Sequence, residues 1–173
     1  MEMLKDGTIV LGLLSPETLH KSMAHLIGEI GHSFRRICYI SMTKPYGFVQ
    51  KEAKAAGVAK ESLFVIDCVS GDMGVSSDVS GCLFASGLED LTNLNIDIKQ
   101  TIDKERFDAV IIDNIAILAL HNSIPSALKF LQNVVIKLRV SGVGVLLLAT
   151  KGGEHGGFVK EAYMFVDEVV ELG

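Results

Sequence analysis

The sequence predicts an α/β fold, with helices on both faces of a mostly parallel central sheet. Three observations carry that prediction. Short apolar runs recur without polar alternation, which is how strands buried on both faces read. Between them lie stretches with an apolar residue at every third or fourth position, the spacing of a helix with one buried stripe. The two kinds of stretch alternate along the chain, as βαβ units require.

Residues 8–14 (TIVLGLL) read as the first strand. Ser15 is a good N-cap, Pro16 suits a first helical position and Glu17 suits the positive end of the helix dipole, so a helix is expected to start there. Its stripe is Leu19, Met23, Leu26, Ile27 and Ile30, with Gly31 as the expected C-cap. Residues 36–42 (RICYISM) form the second strand, and residues 46–56 a short helix stopped at Gly57. Residues 63–68 (LFVIDC) are the third strand. Residues 69–81, rich in Gly, Ser and Asp and without a period, read as a long flexible loop. A short strand at 82–86 precedes a helix on which Leu88, Leu91, Leu94, Ile98 and Ile102 recur.

Residues 107–114 (FDAVIIDN) hold the centre. Ala109 to Ile112 run apolar between Asp108 and Asp113, so Asp113 stands at the carboxyl edge of the sheet, where open α/β folds bind ligands. Residues 115–121 extend as a loop or a helical turn. Residues 123–139 form a long helix with Pro125 in its first turn. Residues 142–150 (GVGVLLLAT) are a fifth buried strand. Gly152, Gly153, Gly156 and Gly157 predict a flexible loop over 151–158, and residues 165–172 an antiparallel strand at the sheet edge.

The chain of 173 residues fits one domain. Its longest apolar run, 145–149, is far short of the ~20 residues of a membrane-spanning helix. Residues 1–7 lack the pattern of a signal peptide. Cys38, Cys68 and Cys82 are odd in number and widely spaced, which fits buried thiols in a reducing cytoplasm. The net charge is −5 and the cations are scattered, which argues against a nucleic-acid surface. His20, His25 and His32 on one helix lack the spacing and partners of a metal set.

In this order of elements the chain resembles the RecA-like ATPase domain, and most closely its KaiC-like branch, widespread in archaea. The likeness rests on 36–45 (RICYISMTKP), on 107–118 (FDAVIIDNIAIL), and on 142–152 (GVGVLLLATKG) with the closing 166–172 (VDEVVEL). The resemblance implies a three-layer RecA-like fold, a Walker B role for Asp113 in ordering the water shell of Mg²⁺, and ATP or ADP as the ligand. It also implies a γ-phosphate contact from Thr150 or Lys151.

The chemistry departs from the family pattern. A P-loop reads GxxxxGK[ST], with glycines that turn backbone N–H groups onto the phosphates. Here Ser15 and His20 replace both glycines, although Lys21 and Ser22 keep the register of the motif's end. Pro16 has no N–H to donate and Glu17 brings a negative charge. The acidic pair that KaiC-like enzymes carry after the second strand falls on Thr43 and Lys44, so a general base is missing. Two functions follow. One is a non-hydrolysing, regulatory or scaffold domain acting through protein contacts, in a homodimer or a mixed assembly with an active relative. The other is a switch that holds ATP or ADP weakly on Ser15, Lys21, Ser22, Asp113 and Lys151, with Mg²⁺ near Asp113. An active ATPase is the third and least supported reading, and loops 69–81 and 151–158 are the expected contact surfaces.

Overall fold

The computed structural model describes residues 4–17, 19–71 and 79–172, with only the backbone of residues 19–22. One sheet of seven strands organises it, in the order β4-β3-β2-β5-β6-β1-β7. The strands are β1 (Ile9–Leu14), β2 (Ile37–Ser41), β3 (Leu63–Asp67), β4 (Cys82–Phe84), β5 (Ala109–Asp113), β6 (Gly144–Thr150) and β7 (Glu168–Glu171). The helices are α1 (Leu19–Ser33), α2 (Tyr46–Ala55), α3 (Leu91–Lys104), α4 (Leu118–His121), α5 (Ile124–Val140) and α6 (Gly156–Ala162). Every strand pairing is parallel.

Side chains of a strand alternate between faces, so a parallel sheet covered twice needs two cores. On one face Val10, Tyr39, Val65, Ala109, Ile111 and Leu148 pack against Met23, Ile27 and Ile30 of α1 and Val49 and Ala53 of α2. On the other, Ile9, Cys38, Ile40, Val110, Ile112 and Leu147 meet Leu94 and Ile98 of α3, Leu131 and Val135 of α5, and Phe158 of α6. The long helices carry the expected caps. Asp90 accepts from the N–H of Asn93, Ser123 accepts from that of Ser126, and Pro125 sits in the first turn of α5. Gly57, with φ +77°, ends the α2 segment as the sequence predicts.

Three local expectations are corrected. First, β7 pairs parallel with β1, Val10 opposite Glu168 and Leu13 opposite Glu171, and is not antiparallel. The cause is α6, read from sequence as part of a glycine loop. This helix carries the chain back to the amino edge, so the next strand must run in the same direction. Gly156 and Gly157 only open it, while Phe158, Val159 and Ala162 bury its inner side. Second, α1 begins at Leu19 rather than at Ser15-Pro16. Residues 15–17 turn the chain from the sheet edge toward the helix layer. Third, Gly31 lies inside α1, not at its end. A Cβ there would stand 2.3 Å from Cγ2 of Val58, so this glycine serves close packing. Of the expected loop 69–81, residues 72–78 lie outside the described residues; 115–117 is a helical turn that leads into α4.

Candidate functional site

The carboxyl ends of β2, β3 and β5 stand level, because Ser41 pairs with Asp67 on one side and with Asp113 on the other. All three point to the face that α1 and α2 cover, since they share the parity of Tyr39, Val65 and Ile111. Asp113 is 3% exposed. Its Oδ2 accepts hydrogen bonds from the Tyr39 hydroxyl at 2.8 Å and from Thr43 Oγ1 at 3.2 Å. Among the described residues Oδ1 has no partner. Burial pushes the Asp113 carboxyl above its ordinary range, against the two hydroxyls and the charge of Lys44, which favour the carboxylate. The Glu52 charge adds to the upward push. Burial, helped by Asp113, likewise drives the Tyr39 hydroxyl well up, so Tyr39 is a fixed proton donor.

Around this carboxylate the neighbours are already engaged. Lys44 Nζ sits 2.7 Å from Oε1 of Glu52, an α2 residue, and both side chains are mostly buried. The other oxygen of Glu52 is buried with no hydrogen-bond partner among the described residues. Ser41 Oγ donates to the carbonyl of Lys44 at 2.6 Å and accepts from its N–H at 3.2 Å, which fixes the turn that carries Thr43 and Lys44. Asn114 caps the turn after β5, accepting from the N–H of Ala116, and reaches Thr150 Oγ1 at 3.4 Å. The Asp113–Asn114 peptide is cis.

Of the residues singled out from sequence, Asp113, Thr43 and Lys44 share one place. Lys151 does not join them. Its Nζ is 2.8 Å from Glu171 on β7, and β7 lies beyond β1, on the far side of β6 from β5. Ser15 stands half-buried just past β1, whose last carbonyl takes the N–H of Lys151. Lys21 and Ser22 lie in the first turns of α1, and their side chains are outside the described residues.

Sequence reasoning missed three residues. Tyr39 was detectable, because a tyrosine in a strand buried on both faces must find a partner for its hydroxyl. Asp67 ends its strand as Asp113 does and carried the same signal. Glu52 reads as an ordinary charge on a surface helix and gave none. The cysteines are buried as expected, and burial pushes the Cys82 thiol up to about 12.

No family model matches the sequence, and no curated protein does. Among solved structures the chain is similar to a KaiC-like protein of the hyperthermophilic archaeon Pyrococcus horikoshii. That match has a TM-score of 0.65 at 16% identity and covers 96% of this chain and 71% of that one. The fold is RecA-like. At this identity the likeness speaks for architecture, and what the edge of the sheet does must be argued from its own residues.

Proposed function

We propose that the protein is a non-hydrolysing KaiC-like domain that works through protein contacts, as a regulatory or scaffold subunit. One observation carries the reading. The two positions after β2 where the resemblance would put an acidic pair are Thr43 and Lys44, and both side chains are committed to internal partners, Asp113 and Glu52. No step of phosphoryl transfer is left a base there.

The group that the fold family implies is a Mg²⁺-bound nucleotide, and the described residues do not fit it. A phosphate cradle is a loop between strand and helix that turns its N–H groups inward. Here α1 already begins at Leu19, so positions 19 and 20 of the would-be loop are helical, and Pro16 in the remainder lacks an N–H. At the metal end, two hydroxyls hold one oxygen of Asp113, and the ammonium of Lys44, whose charge acts on it, is paired with Glu52.

Protein contact is supported by the surface. Ile136 and Val140, one turn apart on α5, are 53% and 82% exposed, and Met164 after α6 is 72% exposed. The partner expected is a second copy or a hydrolysing relative of the same fold.

The test is phosphate release and thermal unfolding with millimolar Mg-ATP and Mg-ADP, beside sedimentation velocity. The expected result is no turnover, an unshifted midpoint, and an association that Val140→Asp weakens. A ligand at ~100 times its Kd adds about 2.7 kcal/mol, roughly 5–10 °C for a domain of this size. Such a rise, absent in Lys21→Ala, replaces this reading with a nucleotide-holding switch. Phosphate release that vanishes in Asp113→Ala overturns it in favour of an ATPase.

A further inference from the structure

Along the sequence the cations are scattered, yet the fold gathers three of them around one groove. Lys51 and Lys54, three residues apart on α2, share a flank of that helix. Gly57, with φ +77°, reverses the chain after α2, and the 3₁₀ turn over Lys60–Ser62 brings Lys60 back beside the same flank. The groove has a volume of about 570 Å³ and runs along α2 from Tyr46 to Leu63, the first residue of β3. The three lysines are exposed, and among the described residues none of them forms an ion pair. In a chain of net charge −5, the groove sets three ammoniums against the single carboxylate of Glu61, which leaves it two positive charges.

Beneath the ammoniums the groove is apolar, with Ala53, Val58 and Leu63 as its buried inner wall. The Tyr46 ring stands at one end, edge-on to Phe84 with the ring centroids 6.3 Å apart. Its hydroxyl accepts from Nε2 of Gln50 at 2.6 Å, so the phenolic proton has no acceptor among the described residues. A phosphate monoester carries a charge of about −1.5 to −2 at neutral pH, which matches the two positive charges, and its oxygens can take the hydroxyl proton. An apolar body on the same molecule covers the inner wall and removes it from water. We propose that this groove binds a small organic phosphate, its phosphate on Lys51, Lys54 and Lys60 and its apolar body against Ala53, Val58 and Leu63. None of these residues belongs to the Asp113 site, so the proposal stands whether or not the carboxyl edge holds a nucleotide.

The test follows backbone amide shifts by two-dimensional NMR as phenyl phosphate is added at low salt, without Mg²⁺ or nucleotide. Saturable shifts are expected at Gly47, Lys54 and Lys60, with millimolar affinity. Inorganic phosphate, which lacks the apolar body, should bind there about tenfold more weakly. Lys51→Met, Lys54→Met and Lys60→Met combined keep the stems and remove the charges. That variant should bind phenyl phosphate about tenfold more weakly, the effect of three exposed ion pairs. Lys99→Met, Lys129→Met and Lys160→Met combined change the net charge equally outside the groove and should leave the affinity as in wild type. A dispersed amide spectrum verifies that each variant is folded. The proposal is overturned if the three amides show no saturable shift, if the groove variant binds as wild type does, or if the control variant loses as much. Inorganic phosphate that binds as tightly as phenyl phosphate overturns it too, because the apolar wall then takes no part. With nucleotide and Mg²⁺ absent, these outcomes stay separate from the turnover and thermal-shift tests of the non-hydrolysing reading.

Discussion

Asp67 and Asp113 stand at the same height, on either side of Ser41, at the exits of two buried parallel strands. Their surroundings differ completely. Asp67 accepts from the backbone N–H groups of Tyr46, Val69 and Ser70 and from the Ser70 hydroxyl, all at 2.7–2.9 Å. Three backbone donors on one carboxylate make it the fastening of two chain segments, the entry to α2 and the turn after β3. Asp113 receives two side-chain hydroxyls on one oxygen and, among the described residues, no backbone donor. An acid that holds the backbone is a structural element, whereas an acid held by side chains can be altered with the backbone left in place. Position at a strand end therefore does not separate the two roles; the identity of the donors does.

The largest effect expected follows from that difference. Asp67→Ala leaves three backbone N–H groups without an acceptor in a fully buried place. At ~1–3 kcal/mol for each unsatisfied group, less what water recovers, the loss should be about 3–5 kcal/mol in urea unfolding. A loss below about 1 kcal/mol would break the comparison, because Asp67 would then be no more structural than its neighbour. Next comes Gly71→Ala, in the turn that Asp67 fastens. The new Cβ would lie 2.2 Å from the carbonyl oxygen of Ala85, a backbone atom that cannot swing aside. About 1–3 kcal/mol is expected, and a smaller cost would mean that this turn is looser than its three hydrogen bonds to Asp67 imply.

These contrasts mark what the sequence could and could not convey. The places of strands along the chain and the helix faces were legible because they depend on period: Ala109 to Ile112 and Val145 to Ala149 admit no exposed face, and Leu94, Ile98 and Ile102 admit only one. The resemblance to KaiC-like domains rested on the same run of elements, and the structure bears out that fold. The direction of β7 was hidden because Gly156 and Gly157 masked a helix whose buried side is carried by just Phe158, Val159 and Ala162. The site was legible at Asp113 and at the replacements Thr43 and Lys44. Its other half was not, since Glu52 becomes a partner only when α2 folds back over the sheet, a contact without a local signature.

Tyr39→Phe sharpens the comparison from the other side. It removes one hydroxyl from Asp113, preserves the ring in the core, and should cost about 1–2 kcal/mol at neutral pH. Backbone hydrogen exchange in the turn after β2 should stay as in wild type, since no backbone group loses a partner. Increased exchange there would mean that Asp113 fastens the chain as Asp67 does.

The smallest effect belongs to Asp113→Asn, and its sign depends on pH. Burial raises the folded-state pKa of Asp113 above the ordinary 3.8. Between those two values the native state binds more protons than the unfolded chain, so its stability falls as pH rises through that window and is level above it. Asparagine keeps an acceptor for Tyr39 and Thr43 without a charge to desolvate. The variant should thus equal or exceed wild type at neutral pH, by no more than ~1 kcal/mol, and the difference should close as pH falls toward the ordinary carboxylate value. Urea midpoints at pH 7 and pH 4 decide it. A variant that is less stable at pH 7 and regains parity in acid would show that the net effect of Tyr39, Thr43 and Lys44 on the ionised carboxylate outweighs burial. Asp113 would then contribute to stability as an anion, and the two aspartates would differ only in degree.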